Sequence, residues 1–108
     1  MPHLSQVTAE FFKSLAHPLR IRILEALRGG EIGVNDLSSR LQVEQSTLSQ
    51  QLAVLRKSNI VVGRKDGLNV FYSVSDPAVF RLLEEARQLF KGHFADLLSQ
   101  LNHKGKNR

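Results

Sequence analysis

The stretch from Asn35 to Ser58 leaves the fewest folds open, because it holds two amphipathic helical runs separated by only three residues. In the first run, Asn35 to Leu41, Leu37 and Leu41 stand four apart on one face. In the second, Gln45 to Ser58, Leu48, Leu52 and Leu55 fall within about 60° of one another at about 100° per residue. The link, Gln42 to Glu44, is a tight turn. Helices joined so closely must bury their leucine seams against each other and against a third element, which is the helix-turn-helix arrangement.

The flanking segments supply that third element and more. Leu4, Val7, Phe11 and Leu15 recur at helical spacing, with Phe12 and Ala16 beside them. Pro18 suits the first turn of a second helix with the stripe Leu19, Ile23, Ala26 and Leu27, and Gly29 and Gly30 stop it. After Ser58 the residues change: Val61, Val62, Val70, Phe71, Tyr72 and Val74 favour strands, and the Asp-Gly in "KDG" turns them into a β-hairpin. Asp76 is the expected N-cap and Pro77 the first position of a last helix. Its stripe, Val79, Leu83, Ala86, Phe90, Phe94, Leu97 and Leu101, is flanked by Leu82, Leu89 and Leu98. The expectation is a mainly α fold with a small β-hairpin: a winged helix-turn-helix of five helices and a two-stranded wing, one domain over residues 1–101 with a basic flexible tail at 102–108. The last stripe is longer than a small monomer can cover, so the chain is expected to dimerise.

The second helix of the pair carries Ser46, Gln50, Ala53 and Lys57 opposite its leucines, with Gln45, Thr47 and Ser49 at its start. Gln makes paired hydrogen bonds to adenine, and Ser or Thr reaches base edges and phosphates. Helix-turn-helix modules present the N-terminal part of this helix to the major groove. Arg56 and Lys57 at its far end, and Arg64 and Lys65 on the hairpin, suit backbone phosphates. The competing explanation is that Gln and Ser only solvate an exposed helix; the short helix before it and the basic hairpin after it favour double-stranded DNA. Glu44 would repel phosphate, and its charge instead favours the helix N-terminus.

Charge permits this partner without requiring it. Fifteen Lys and Arg stand against ten Asp and Glu, a net +5, but Lys104, Lys106 and Arg108 lie in the tail and the body is near +2. The absence of cysteine excludes disulfides, thiol redox sensing and thiolate metal sites. No apolar run approaches about 18 residues and no secretory signal opens the chain, so the expected location is the cytoplasm. No phosphate-cradling glycine loop, zinc-protease motif or cysteine nucleophile is present, and no enzymatic activity or cofactor is expected.

"FFKSLAHPLRIRILEAL", "GVNDLSSRL", "QSTLSQQLAVLRKSNIV" and "GRKDGLNVFYSV" together resemble the ArsR/SmtB family of bacterial winged-helix repressors, over Ala9 to Leu101. The resemblance implies a homodimer built from the first and last helices, with Val7, Phe11, Leu83, Phe90, Phe94 and Leu97 at its interface. It also implies an inverted-repeat operator, repression by blocking polymerase, and release by an inducer that this sequence does not name. The family's recognition helix carries Ser and, two residues later, His; here these are Ser49 and Gln51, and Gln51 lies near the buried seam, as a packing or phosphate residue. The family's thiolate pair falls on Gly33 and Asn35, neither a soft-metal ligand. The family's carboxylate–histidine site on the last helix is represented by His93 and Asp96 alone, so no metal is expected. A metal-responsive repressor using that pair, and a winged-helix module that binds protein and reads no DNA, are the alternatives.

Overall fold

The computed structural model describes residues 3–106, with the side chains at 94, 95 and 103–106 outside the described set. The Phe94 side chain of the expected dimer stripe and the side chains of the expected basic tail beyond Asn102 therefore fall outside the described set.

The backbone forms two compact units, one ending at Pro77 and one beginning at Ala78. The first contains α1 (Leu4–Leu15), α2 (Pro18–Ala26), β1 (Ile32–Gly33), α3 (Val34–Leu41), α4 (Gln45–Lys57), β2 (Val61–Asp66) and β3 (Asn69–Val74); the second is α5 (Ala78–Lys106). Each helix start has a local cause. The His3 backbone N–H donates to Gln6 Oε1 at 3.0 Å, so His3 stands at the N-cap of α1. His17 Nδ1 accepts the Leu19 N–H at 3.0 Å, and Pro18, which has no N–H to satisfy, opens α2. A 3₁₀ turn over Leu27–Gly29 then ends that helix run.

Two departures from expectation follow from backbone pairing. The sheet is three-stranded: β1 adds to the two-stranded hairpin of the wing in the order β1-β3-β2, pairing Ile32 with Tyr72 and Gly33 with Phe71. A two-residue strand has no alternation to betray it, and only its partner makes it visible. α5 begins at Ala78, leaving Asp76 and Pro77 just outside it, and continues beyond Leu101 to Lys106.

The core of the first unit is aliphatic. Ile23, Leu24, Leu27, Leu37, Leu48, Leu52, Leu55, Ile60 and Val61 are fully buried, and no polar side chain is buried among the described residues. Each such side chain contributes about 1.5–3 kcal/mol relative to exposure. The expected seam of α4 is this core: Leu48, Leu52 and Leu55 are all 0% exposed.

The turns on either side of α4 share one solution. Gln42 after α3 and Asn59 after α4 take φ of 53° and 60°. At the first, Gln42 N–H donates to Ser39 O at 3.2 Å and Val43 N–H to Ser38 O at 3.1 Å; at the second, Asn59 N–H donates to Arg56 O and Ile60 N–H to Leu55 O, both at 2.9 Å. These are paired Schellman closures that satisfy the last carbonyls of each helix. The Ser38 hydroxyl adds a bond to Val43 O at 2.6 Å, and Arg22 Nη2 donates to Leu41 O at 2.8 Å. α4 is thus held at both ends by bonds that do not involve its exposed face.

Candidate nucleic-acid interface

With its leucines buried, α4 presents Gln45, Ser46, Thr47, Ser49, Gln50, Ala53, Arg56 and Lys57 to solvent. Arg56 and Lys57 lie in its last turn, where cations complement the negative end of the helix dipole. Glu44 occupies the N-cap, exposed, and its carboxylate makes no capping hydrogen bond among the described residues. Gln45 is exposed, and its amide donates to Asn35 Oδ1, tying the first residue of α4 to the start of α3. Gln51 is half-buried and turned inward: its Oε1 accepts from Arg20 Nε at 2.8 Å. That agrees with a packing residue and separates Gln51 from the exposed polar set.

The wing is a hairpin in which Arg64 pairs with Phe71 and Lys65 with Val70. Gly67 supplies the φ of 64° that the two-residue connection needs, and Leu68 beside it is fully exposed at the tip. Lys65 is exposed. Arg64 is not a free cation: its Nη2 and Nε donate to the two oxygens of Glu31 at 2.7 and 3.0 Å, and its Nη1 lies 3.8 Å from Asp66. The guanidinium also stacks 4.9 Å above the Phe71 ring. Gly33 completes that row. A Cβ there would meet the Phe71 ring at 3.2 Å, so glycine lets the ring lie across β1. The hydrogen bonds from Arg64 hold the Glu31 carboxyl below its ordinary value, and Glu31 in turn raises Arg64. Sequence reasoning missed Glu31. It lies 33 residues from Arg64, and only the third strand brings the two together.

The geometry matches known proteins. The model of the arsR family of bacterial regulatory proteins matches residues 17–62. The uncharacterized HTH-type transcriptional regulator Rv0081 of Mycobacterium tuberculosis strain H37Rv is 44% identical over 91% of this chain and 87% of its own. This chain belongs to the ArsR family. The crystal structure of Rv0081 matches with a TM-score of 0.78 at 42% identity, covering 91% of this chain and 99% of that one. A transcriptional repressor SmtB homolog of a Synechocystis species is 42% identical over 75% of this chain and 61% of its own. The homodimeric winged helix-turn-helix DNA-binding domain Mb0332 of Mycobacterium bovis, solved in solution, matches with a TM-score of 0.75 at 26% identity, covering 84% of each chain.

The chain is an ArsR-family winged helix-turn-helix regulator of transcription. The positions of the thiolate pair are taken by Gly33, beneath the Phe71 ring, and by Asn35, which accepts from Gln45. His93 and Asp96 are exposed on α5. Among the described residues no three His, Asp or Glu side chains gather in a way that could hold a metal ion. No helix among them is long and apolar enough to cross a membrane.

The expected dimer residues divide. Val7 and Phe90 are about half exposed, Leu97 slightly less, Phe11 is half-buried against Phe12 with ring centroids 5.7 Å apart, and Leu83 is buried. On α1 and α5, Leu4, Phe12, Leu89, Leu98 and Leu101 are further exposed apolar side chains outside the expected set.

Proposed function

We propose that this protein is a cytoplasmic, homodimeric transcriptional repressor that binds an inverted-repeat operator and performs no catalysis. Gln45, Ser46, Thr47, Ser49 and Gln50 of α4 enter the major groove, while Arg56, Lys57, Arg64 and Lys65 contact phosphates. The observation that carries this reading is the two-sidedness of α4. One side is a leucine seam with no exposure, and the other is an exposed face of polar and cationic residues around the small Ala53, in the second helix of a helix-turn-helix. The exposed apolar residues of α1 and α5 give each copy the surface to pair with another. Two-fold pairing places the half-sites about one helical turn, ~34 Å, apart. Lys104, Lys106 and Arg108 add positive charge that strengthens non-specific attraction to DNA.

Footprinting on the upstream region of its own gene tests the reading. Protection of a palindromic site is expected, and Gln50→Ala should weaken it by about 1–3 kcal/mol, selectively at the base it contacts. A protein with no preference for any symmetric site over random DNA at moderate salt overturns the proposal. So does a Gln50→Ala, Lys65→Ala double variant that folds and binds DNA like wild type, which would move the DNA contacts to other residues.

A further inference from the structure

One side chain outside the reading face joins α4 to the N-terminal helix. Arg20, on α2, sends Nε to Gln51 Oε1 at 2.8 Å and Nη1 to the backbone carbonyls of Lys13 and Ser14 at 3.3 and 3.2 Å. Those carbonyls belong to the last turn of α1, where Lys13 O also accepts the Ala16 N–H at 3.2 Å. The planar guanidinium fork therefore bridges three helices at once, a geometry that a lysine ammonium does not reproduce. A second bridge stands beside it: the Ser14 and Ser58 hydroxyls are 2.8 Å apart, joining the last turn of α1 to the C-cap of α4.

The two anchor points on α4, Gln51 and Ser58, are seven residues apart in the sequence, roughly 10 Å along the axis. One anchor would fix a position; two fix a direction. Both lead to the same end of α1, whose side chains Leu4, Val7 and Phe12 are exposed. Gln51 is also the immediate neighbour of Gln50 on the exposed face, so a rotation of α4 that breaks the Arg20 bond swings the reading face as well.

We propose that Arg20 and Ser14 are positioning residues that transmit the geometry of the dimer from α1 to α4, and so set which half-site spacing the protein accepts. This rests on the reading that α1 contributes to a homodimer and α4 reads DNA. Arg20 and Ser14 touch no base. Their effect is on the distance and angle between two reading helices, not on the fit of either helix to its half-site.

The experiment uses duplexes built from the half-site that the wild-type protein selects out of random-sequence DNA. They are presented singly and as inverted pairs whose spacer varies by one base pair at a time. Wild type, Arg20→Lys, Gln51→Ala and Ser14→Ala are compared, with thermal melting to establish that each folds and sedimentation to establish that each dimerises. Wild type is expected to prefer one spacing over its neighbours by about tenfold, and Arg20→Lys and Gln51→Ala to flatten that preference to about two- or threefold while single half-site affinity is kept. Variants that keep the wild-type spacing profile overturn the inference. So do variants whose single-site and paired-site affinities fall together, since that is loss of fold or of contact. A wild-type protein indifferent to half-site symmetry removes the functional reading beneath the inference, and is told apart because it appears before any substitution is made.

Discussion

Arg64 shows how much one partner changes the meaning of a residue. In the sequence it is a cation on a basic hairpin, suited to a phosphate. In the structure it is bidentate to Glu31 and stacked on Phe71. The pair is exposed, so its contribution to stability is small. Its electrostatic consequence is larger, because the carboxylate neutralises a charge at the proposed interface. Glu31→Gln should therefore tighten DNA binding and steepen the salt dependence, with the slope of log K against log salt more negative by about 0.9, one phosphate contact. An unchanged slope would mean that Arg64 makes the same phosphate contacts with or without a carboxylate at position 31. The pH dependence has a definite sign. The folded Glu31 carboxyl is held below its ordinary value, so the pair's stabilising effect is present above that value and is lost as pH falls through the depressed one. Wild type and Glu31→Gln should accordingly converge in stability at acid pH and differ slightly at neutrality, as denaturant melts at both would record. The residue types at this site were legible, but the pairing was not, since nothing local links position 31 to position 64.

At the scale of elements, the helices were readable because their seams are periodic. Leu48, Leu52 and Leu55 are placed by angle alone, and all three are 0% exposed. The closures were less readable. Gln42 sits in the left-handed region that usually takes glycine, and a glutamine there looks like any polar turn residue. What holds it is the pair of bonds into Ser38 and Ser39 together with the Ser38 hydroxyl on Val43 O. A non-glycine residue in this conformation costs about 1 kcal/mol or more. Gln42→Gly should therefore be neutral or stabilising by up to about 1 kcal/mol in urea unfolding, even though glycine raises the entropy of the unfolded chain. Gln42→Val should destabilise by about 1–2 kcal/mol, because a β-branched residue tolerates positive φ poorly. Equal midpoints for the two variants would show that the turn adjusts its backbone and that the Schellman closure is not what positions α4. The short β1 was invisible for a related reason: two residues carry no pattern of their own, and Phe71 needs Gly33 only once the strands are paired.

For the whole molecule, the apolar surface left over by the fold is the argument for a second copy. Val79 and Leu83 at the start of α5 are buried, whereas Leu89, Phe90, Leu97, Leu98 and Leu101 are from 45% to 71% exposed. The stripe was legible as a stripe from its spacing. Which part of it a single chain buries was not, because burial depends on what surrounds the helix. If a partner covers the exposed part, the melting temperature of wild type must rise with protein concentration, since association stabilises the folded state by mass action. Phe90→Glu replaces a half-exposed ring by a charge that a lone subunit tolerates in water but a dimer must desolvate. The variant should sediment as a monomer and melt at a temperature independent of concentration. It should keep its affinity for a single half-site while losing about 100-fold or more on the inverted pair, because the second contact is no longer made at high effective concentration. A Phe90→Glu protein that remains dimeric would move the interface to other residues. A wild type that melts identically at micromolar and millimolar concentration would mean that the apolar residues of α5 face something other than a copy of this chain.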